Sequence, residues 1–120
     1  MNPLLSTYRL KSSKEIALLV KTGKGKVKYP IKLIYNTNEQ QGIRIAVVAS
    51  KRLFKRAVDR NRIKRMMREA IRLELAAIQD SILPNQSNID FLLIFVGKEL
   101  PKLEHLKKSL ASLLKLVYSS

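Results

Sequence analysis

Between residues 58 and 77 the apolar positions recur at the spacing of an α-helix, and this stretch limits the possible folds more than any other. With Ile63 at zero and steps of about 100° per residue, Met66, Met67, Ala70, Ile71, Leu73 and Ala77 fall within roughly 80° of it. Opposite them, at roughly 140–200°, stand Asn61, Arg65, Arg68 and Arg72, with Arg62 and Lys64 alongside. Only the apolar side of such a helix can be buried. Before it runs "IRIAVVA" (Ile43–Ala49) and after it "IDFLLIFV" (Ile89–Val96), each with the length and branching of a buried strand. A strand, a one-sided helix and another strand must pack as helix on sheet.

The remaining segments supply further elements. Ser12 or Ser13 can cap a short helix whose apolar face is Ile16, Leu19 and Val20, stopped near Gly23. The "GKGK" that follows reads as a turn. Val27–Asn36 reads as a strand with Ile31, Leu33 and Tyr35 on one face and Lys32 and Ile34 on the other. Asn36–Gly42 then makes a hairpin loop into Ile43–Ala49. Asp80–Asn88, with Pro84, is a loop. After Pro101 an amphipathic helix, Leu103–Val117, turns Leu106, Leu110, Leu113, Leu114 and Val117 inward. The expected fold is α+β: a small sheet packed with helices, a two-layer sandwich in the order α-β-β-α-β-α. No repeat or Pro/Ser-rich linker divides the 120 residues, so a single domain, 1–120, is expected.

Charge narrows the function. The chain carries 24 Lys+Arg against 9 Asp+Glu, a net +15, while 46% of it is hydrophobic, so a real core supports a strongly positive surface. Residues 51–72 alone hold ten bases and only two acids, Asp59 and Glu69. A helix face built only for solubility would intersperse acids for i, i+4 pairs. Glu69 can pair with Arg62, Arg65 or Arg72, and Asp59 with Arg62, which leaves most of the cations free. Guanidinium forks suit phosphate oxygens, and an Asn amide suits a 2′-hydroxyl or base edge. A polyanion, foremost a nucleic acid, is the expected partner.

Other chemistries fall away. With no cysteine there is no disulfide, thiolate zinc site or cysteine nucleophile, and the lone His105 cannot form a two-histidine acid–base pair. Ser50 has no neighbouring base and reads as a strand-end hydroxyl. Asp80, Asp90, Glu99 and Glu104 are scattered, so no metal ligands are assigned. The apolar runs are too short to cross a bilayer. The opening "MNPLLSTYRLKSS" lacks the features of a signal peptide, so no membrane association and a cytoplasmic location are expected.

"SKRLFKRAVDRNRIKRMMREAIR", Ser50 to Arg72, closely resembles the signature of the bacterial ribonuclease P protein family. The correspondence runs through Ala57, Val58, Arg60, Asn61, Arg62, Lys64 and Arg65, then Arg68-Glu69. "RLKSSKEIALLVKTGK" (Arg9–Lys24) and the late "DFLLIF" strand are similar to the family's flanks, so nearly the whole chain is covered. The resemblance implies a small protein that binds ribonuclease P RNA and the 5′ leader of precursor tRNA, and assists removal of that leader. It implies no catalytic residue on the protein, an active site in the RNA, and no cofactor bound by the protein alone. Magnesium would enter the holoenzyme through the RNA, with one protein per RNA.

By position, Arg60, Asn61, Arg62, Lys64, Arg65 and Arg68 would face the RNA subunit, Lys51, Arg52 and Arg56 would extend that surface, and Arg72 continues the helix line. The resemblance also implies an unusual left-handed crossover through this helix, where general rules favour the right-handed form. It further implies a leader-binding cleft between the first helix and the sheet. There the family pattern has two phenylalanines where this chain has Ile16 and Val20, and Tyr35 would supply an aromatic group. Ile16 and Val20 fit simple core packing equally well. "RLFKR" also departs from the shorter, glycine-containing turn of many members. A ribosomal-type or general structural RNA-binding domain fits the composition equally; the Ala57–Arg65 motif favours the processing subunit.

Overall fold

Five strands and three α-helices follow one another in the computed structural model, which describes residues 7–39 and 41–118. Residues 1–6, part of the opening segment read as free of a signal peptide, lie outside the described residues, as does Gln40 of the Asn36–Gly42 loop. The order is β1 (Thr7–Arg9), α1 (Ser13–Thr22), β2 (Lys24–Lys28), β3 (Ile31–Thr37), β4 (Ile43–Ala49), α2 (Ala57–Ala77), β5 (Ile89–Phe95) and α3 (Leu103–Tyr118). Two short 3-10 turns, Gln79–Ser81 and Pro84–Gln86, join α2 to β5.

The sheet runs β1-β4-β5-β3-β2. β1, β4 and β5 are mutually parallel, while β3 is antiparallel to β5 and β2 to β3. The strand expected over Val27–Asn36 is therefore two strands, broken at the cis Tyr29–Pro30 bond, and "GKGK" opens β2 instead of forming a turn. β2 is exposed along its whole length, and it exists because its backbone completes the β3 ladder at a sheet edge. Its alternating lysines guard that edge from further pairing. The hairpin expected at Asn36–Gly42 is also absent. β5 pairs with β3 on one side and β4 on the other, so the loop passes across a strand supplied 50 residues later. Hydrophobic pattern identified these strands but carries no information on their order.

Alternation along the strands gives the sheet two buried faces. Ile31, Leu33, Ile45, Val47, Phe91, Leu93 and Phe95 meet α2 and α3 in the main core, joined by Ile63, Met67, Ile71, Leu75 and the inner leucines of α3. The buried seam of α2 is turned from the expected one. Leu75 is 1% exposed, whereas Leu73 is 43% exposed and Ala77 is open to solvent. In α3, Leu106, Leu110, Leu113 and Leu114 are buried as expected, with Val117 half-buried.

α1 lies across the other face, where Leu19 closes a smaller cluster with Leu10, Ile34, Ala46 and Leu92. The Ser12 hydroxyl caps this helix by accepting from the Glu15 amide at 3.3 Å. Gly23 ends it by donating its N–H to the Leu19 carbonyl at 2.7 Å. A Cβ at Gly23 would stand 2.6 Å from that carbonyl oxygen and 2.8 Å from Ile34 Cγ2, so the glycine is required for close approach to the sheet.

An ion network fixes the far end of the same helix. Arg44 on β4 donates from Nε and Nη2 to the two carboxylate oxygens of Asp90 on β5, each at 2.8 Å. Its Nη2 also meets Glu15 of α1 at 2.6 Å. Asn38 Nδ2 donates to Asp90 Oδ1 at 2.7 Å and to the Gly42 carbonyl at 2.9 Å. The hydrogen bonds it donates to Asp90, opposed by burial and reinforced by Glu15, hold the Arg44 guanidinium above its ordinary range and permanently charged.

Candidate nucleic-acid interface

The polar face of α2 is set by the burial of its opposite face. With Ile63, Met67, Ala70 and Ile71 fully buried, Asn61, Arg62, Arg65 and Arg72 are driven into solvent, and Lys64 and Arg68 sit at the flank, half-exposed. Asn61, Lys64, Arg65, Arg68 and Arg72 line one concavity of about 480 Å³. Arg62 lies outside it. Arg9, which sequence reasoning missed, completes the wall from β1. Its signal was available only after pairing. Arg9 stands opposite Ile45 in the parallel register, which turns it to the face that α2 covers.

Charge in this concavity is nearly unopposed, since Glu69 is the one acid lining it. The pairings open to Glu69 and Asp59 in sequence are not made: among the described residues neither forms an ion pair within 4.0 Å. Arg68 is the most constrained cation. Its Nε is buried and has no partner among the described residues, and burial first, then the positive charge of Arg9, pushes its guanidinium below the ordinary arginine range. Two guanidinium groups that disfavour one another across a concavity are both relieved when an anion enters it.

The loop preceding α2 carries more charge on an apolar anchor. Phe54 is buried and rests against Phe95 with ring centroids 5.7 Å apart. The Phe54 amide donates to the Ser50 carbonyl at 3.0 Å, and the Ser50 hydroxyl accepts from the Arg52 amide at 3.0 Å, the strand-end role expected of it. Lys51, Arg52, Lys55 and Arg56 are thereby exposed around a fixed turn. Arg60 has a structural part. Its Nη1 donates to the carbonyls of Phe54 and Lys55 at 2.8 and 2.9 Å, fastening the loop to α2, so only part of its fork remains for a ligand. Arg56 occupies the N-cap position of α2 without a capping hydrogen bond from its side chain.

The cleft residues separate. Val20 is 53% exposed, so simple core packing does not account for it, whereas Ile16 is half-buried against the small cluster. Tyr35 is not in this cleft. It follows Ile31 and Leu33 onto the face covered by α2 and α3, because side chains alternate along β3; Ile34 is the residue that meets α1. α1 covers the row Ala46, Leu92 and Ile34 and leaves the next row outward, Val48, Ile94, Lys32 and Val27, as an apolar strip with one cation. Val48 and Val27 in that row are exposed.

Among the described residues no three His, Asp or Glu groups come together as a metal site. No helix among the described residues is long and apolar enough to cross a membrane.

The model of the family described as Ribonuclease P matches residues 4–118. The ribonuclease P protein component of Porphyromonas gingivalis is 30% identical over 110 residues, covering 89% of this chain and 80% of the relative. That of Streptococcus agalactiae is 32% identical over 111 residues, covering 92% and 94%. In fold, the chain is similar to the RNase P protein of Staphylococcus aureus, with a TM-score of 0.70, 21% identity and 93% and 96% of the two chains covered. It is equally similar to that of Thermotoga maritima, with a TM-score of 0.71, 22% identity and 90% and 96% covered.

Proposed function

The chain belongs to the ribonuclease P protein family, the protein components of a tRNA-processing endoribonuclease, and from that premise we propose how its two surfaces divide the work. The α2 face, with Asn61, Arg65, Arg68 and Arg72 joined by Arg9, binds ribonuclease P RNA through its phosphates. Lys51, Arg52, Arg56 and Arg62 extend that contact, with Lys64 and the free part of Arg60. The observation that carries this reading is a concavity lined by five cations and one acid. The guanidinium groups of Arg65, Arg68 and Arg72 stand on a helix whose opposite face is locked in the core, so the backbone that carries them need not be ordered on binding.

The second surface is the strip beside α1, where Val20, Ile16, Val48 and Ile94 offer apolar contact and Lys32 a charge. It receives the single-stranded 5′ leader of precursor tRNA. Contact here is by aliphatic packing instead of aromatic stacking. The chemistry is performed by the RNA subunit, to which magnesium is bound, with one protein per RNA in the cytoplasm.

The direct test is cleavage of a precursor tRNA at low magnesium by a bacterial ribonuclease P RNA, with and without this protein. Cleavage that requires the RNA and is stimulated by the protein is the expected outcome. Tight, salt-sensitive RNA binding without stimulation of a matched RNA would instead identify a general RNA-binding domain. The leader strip has its own test. Because Val20 is exposed, Val20→Asp should fold normally and weaken binding of leader-bearing precursor by roughly tenfold, the scale of one lost base contact. Binding of mature tRNA by the holoenzyme should be unchanged. An equal loss for both substrates would remove the leader from this strip.

A further inference from the structure

A third surface lies at the end of the sheet where β4 and β5 finish. Ala49, Phe95, Ile31 and Lys28 are consecutive neighbours there, so the Lys51–Arg56 loop and the Tyr29–Pro30 turn leave the same sheet end. Beneath that turn a cleft of about 600 Å³ opens between the segment following β5 and the first turns of α3. Its wall includes Tyr29, Lys98, His105 and Lys108, against the single acid Glu99, and Phe95 forms part of its floor. Phe95 is also the residue on which Phe54 rests, so the cleft and the basic loop share one buried aromatic pair.

Tyr29 is 67% exposed, yet its backbone is held. Its carbonyl accepts from the Ser109 hydroxyl at 2.9 Å, and the Pro30 carbonyl accepts from the Val96 amide at 2.8 Å. Ser109 is itself buried, a polar side chain spent on fixing this turn to α3. An exposed aromatic ring on an anchored turn, in a cleft that two lysines also line, has the composition of a stacking platform with phosphate contacts beside it. An acidic peptide would use the lysines but has no group that requires the ring.

We infer that this cleft is a binding subsite for a nucleotide of single-stranded RNA, stacked on Tyr29 with its phosphates held by Lys98 and Lys108. It extends the RNA-facing surface from the Lys51–Arg56 loop around the sheet end. The inference takes from the proposed function only the class of ligand.

The chain has no tryptophan, so Tyr29→Trp places a single fluorescent indole at the site. Titration of this variant with a decamer of uridylate should quench the emission saturably, because a stacked base lies against the indole. Adding Lys98→Glu and Lys108→Glu should raise the half-saturating concentration by at least tenfold, with the thermal melt unchanged because these residues are exposed. Quenching by inorganic polyphosphate equal to that by the decamer would overturn base stacking and leave only an anion patch. A response to polyglutamate but not to the decamer would overturn the RNA assignment in favour of an acidic protein. An unchanged indole at concentrations where fluorescence anisotropy shows the decamer bound would overturn the site. The α2 face is read separately, by the salt dependence of ribonuclease P RNA binding, so failure here leaves that assignment standing.

Discussion

Arg65→Ala combined with Arg68→Ala is expected to weaken binding of ribonuclease P RNA by roughly 100-fold and to lower the salt slope by about two units. A hydrogen bond to a charged group contributes about 1.5–3 kcal/mol, so two lost contacts remove on the order of 3 kcal/mol. Each phosphate no longer neutralised removes about one released counterion from the slope. The free protein supplies the control. Arg65 is exposed, and Arg68 holds a buried Nε without a partner beside the charge of Arg9. Removing that unmet donor offsets the packing lost with the side-chain stem, so stability should change by less than about 1 kcal/mol. Filter binding across a salt series, with urea unfolding of the same variant, makes both readings. An unchanged slope in a normally folded double variant would detach α2 from the RNA. Arg9→Ala should reproduce about half of the effect.

That helix was legible in the sequence because its signal is local. Helical period, arginine line and family signature all fall within residues 50–77, and the buried face then dictates where the cations point. The limits of legibility follow the same logic. The seam of α2 was misplaced at Leu73 and Leu75 because a wheel centred on Ile63 weighs all apolar residues alike, whereas α3 and the sheet decide which of them is covered. β2 has no hydrophobic alternation and is specified by the open edge of β3. Sheet order depends on β5 entering between β3 and β4, a pairing across about 50 residues with no pattern of its own.

Side-chain period gave the two faces of β3 correctly, with Ile31, Leu33 and Tyr35 opposite Ile34. What it could not give is which face α1 would take, and Tyr35 was accordingly placed in the wrong cleft. The same blindness to pairing hid Arg9, and it made Asp90 look like one of several scattered acids. Once β4 and β5 are parallel neighbours, Arg44 and Asp90 are directly opposite one another.

That pair gives the largest expected effect on stability. Arg44 and Asp90 side chains are only 13% and 11% exposed, so removing either leaves its partner charged and largely shielded from water. Truncating one member of such a pair costs about 3–5 kcal/mol, a large share of the about 5–15 kcal/mol that holds a domain of this kind together. Arg44→Ala should therefore lower the urea midpoint severely. It frees Asp90 from two hydrogen bonds and leaves it only Asn38 among the described residues. Glu15→Ala removes the half-exposed member at 44% exposure, and should cost less than about 1 kcal/mol. The charges themselves are not what the fold needs. Asp90→Leu with Arg44→Met replaces the pair by apolar side chains, and should recover most of the loss. Equal costs for Arg44→Ala and Glu15→Ala would show that the buried bidentate contact contributes no more than a surface pair. Because Glu15 ties α1 to this network, the apolar-pair variant separates two functions. It should keep the fold and the α2 face while loosening the helix that borders the leader strip, so leader discrimination falls while binding of ribonuclease P RNA persists.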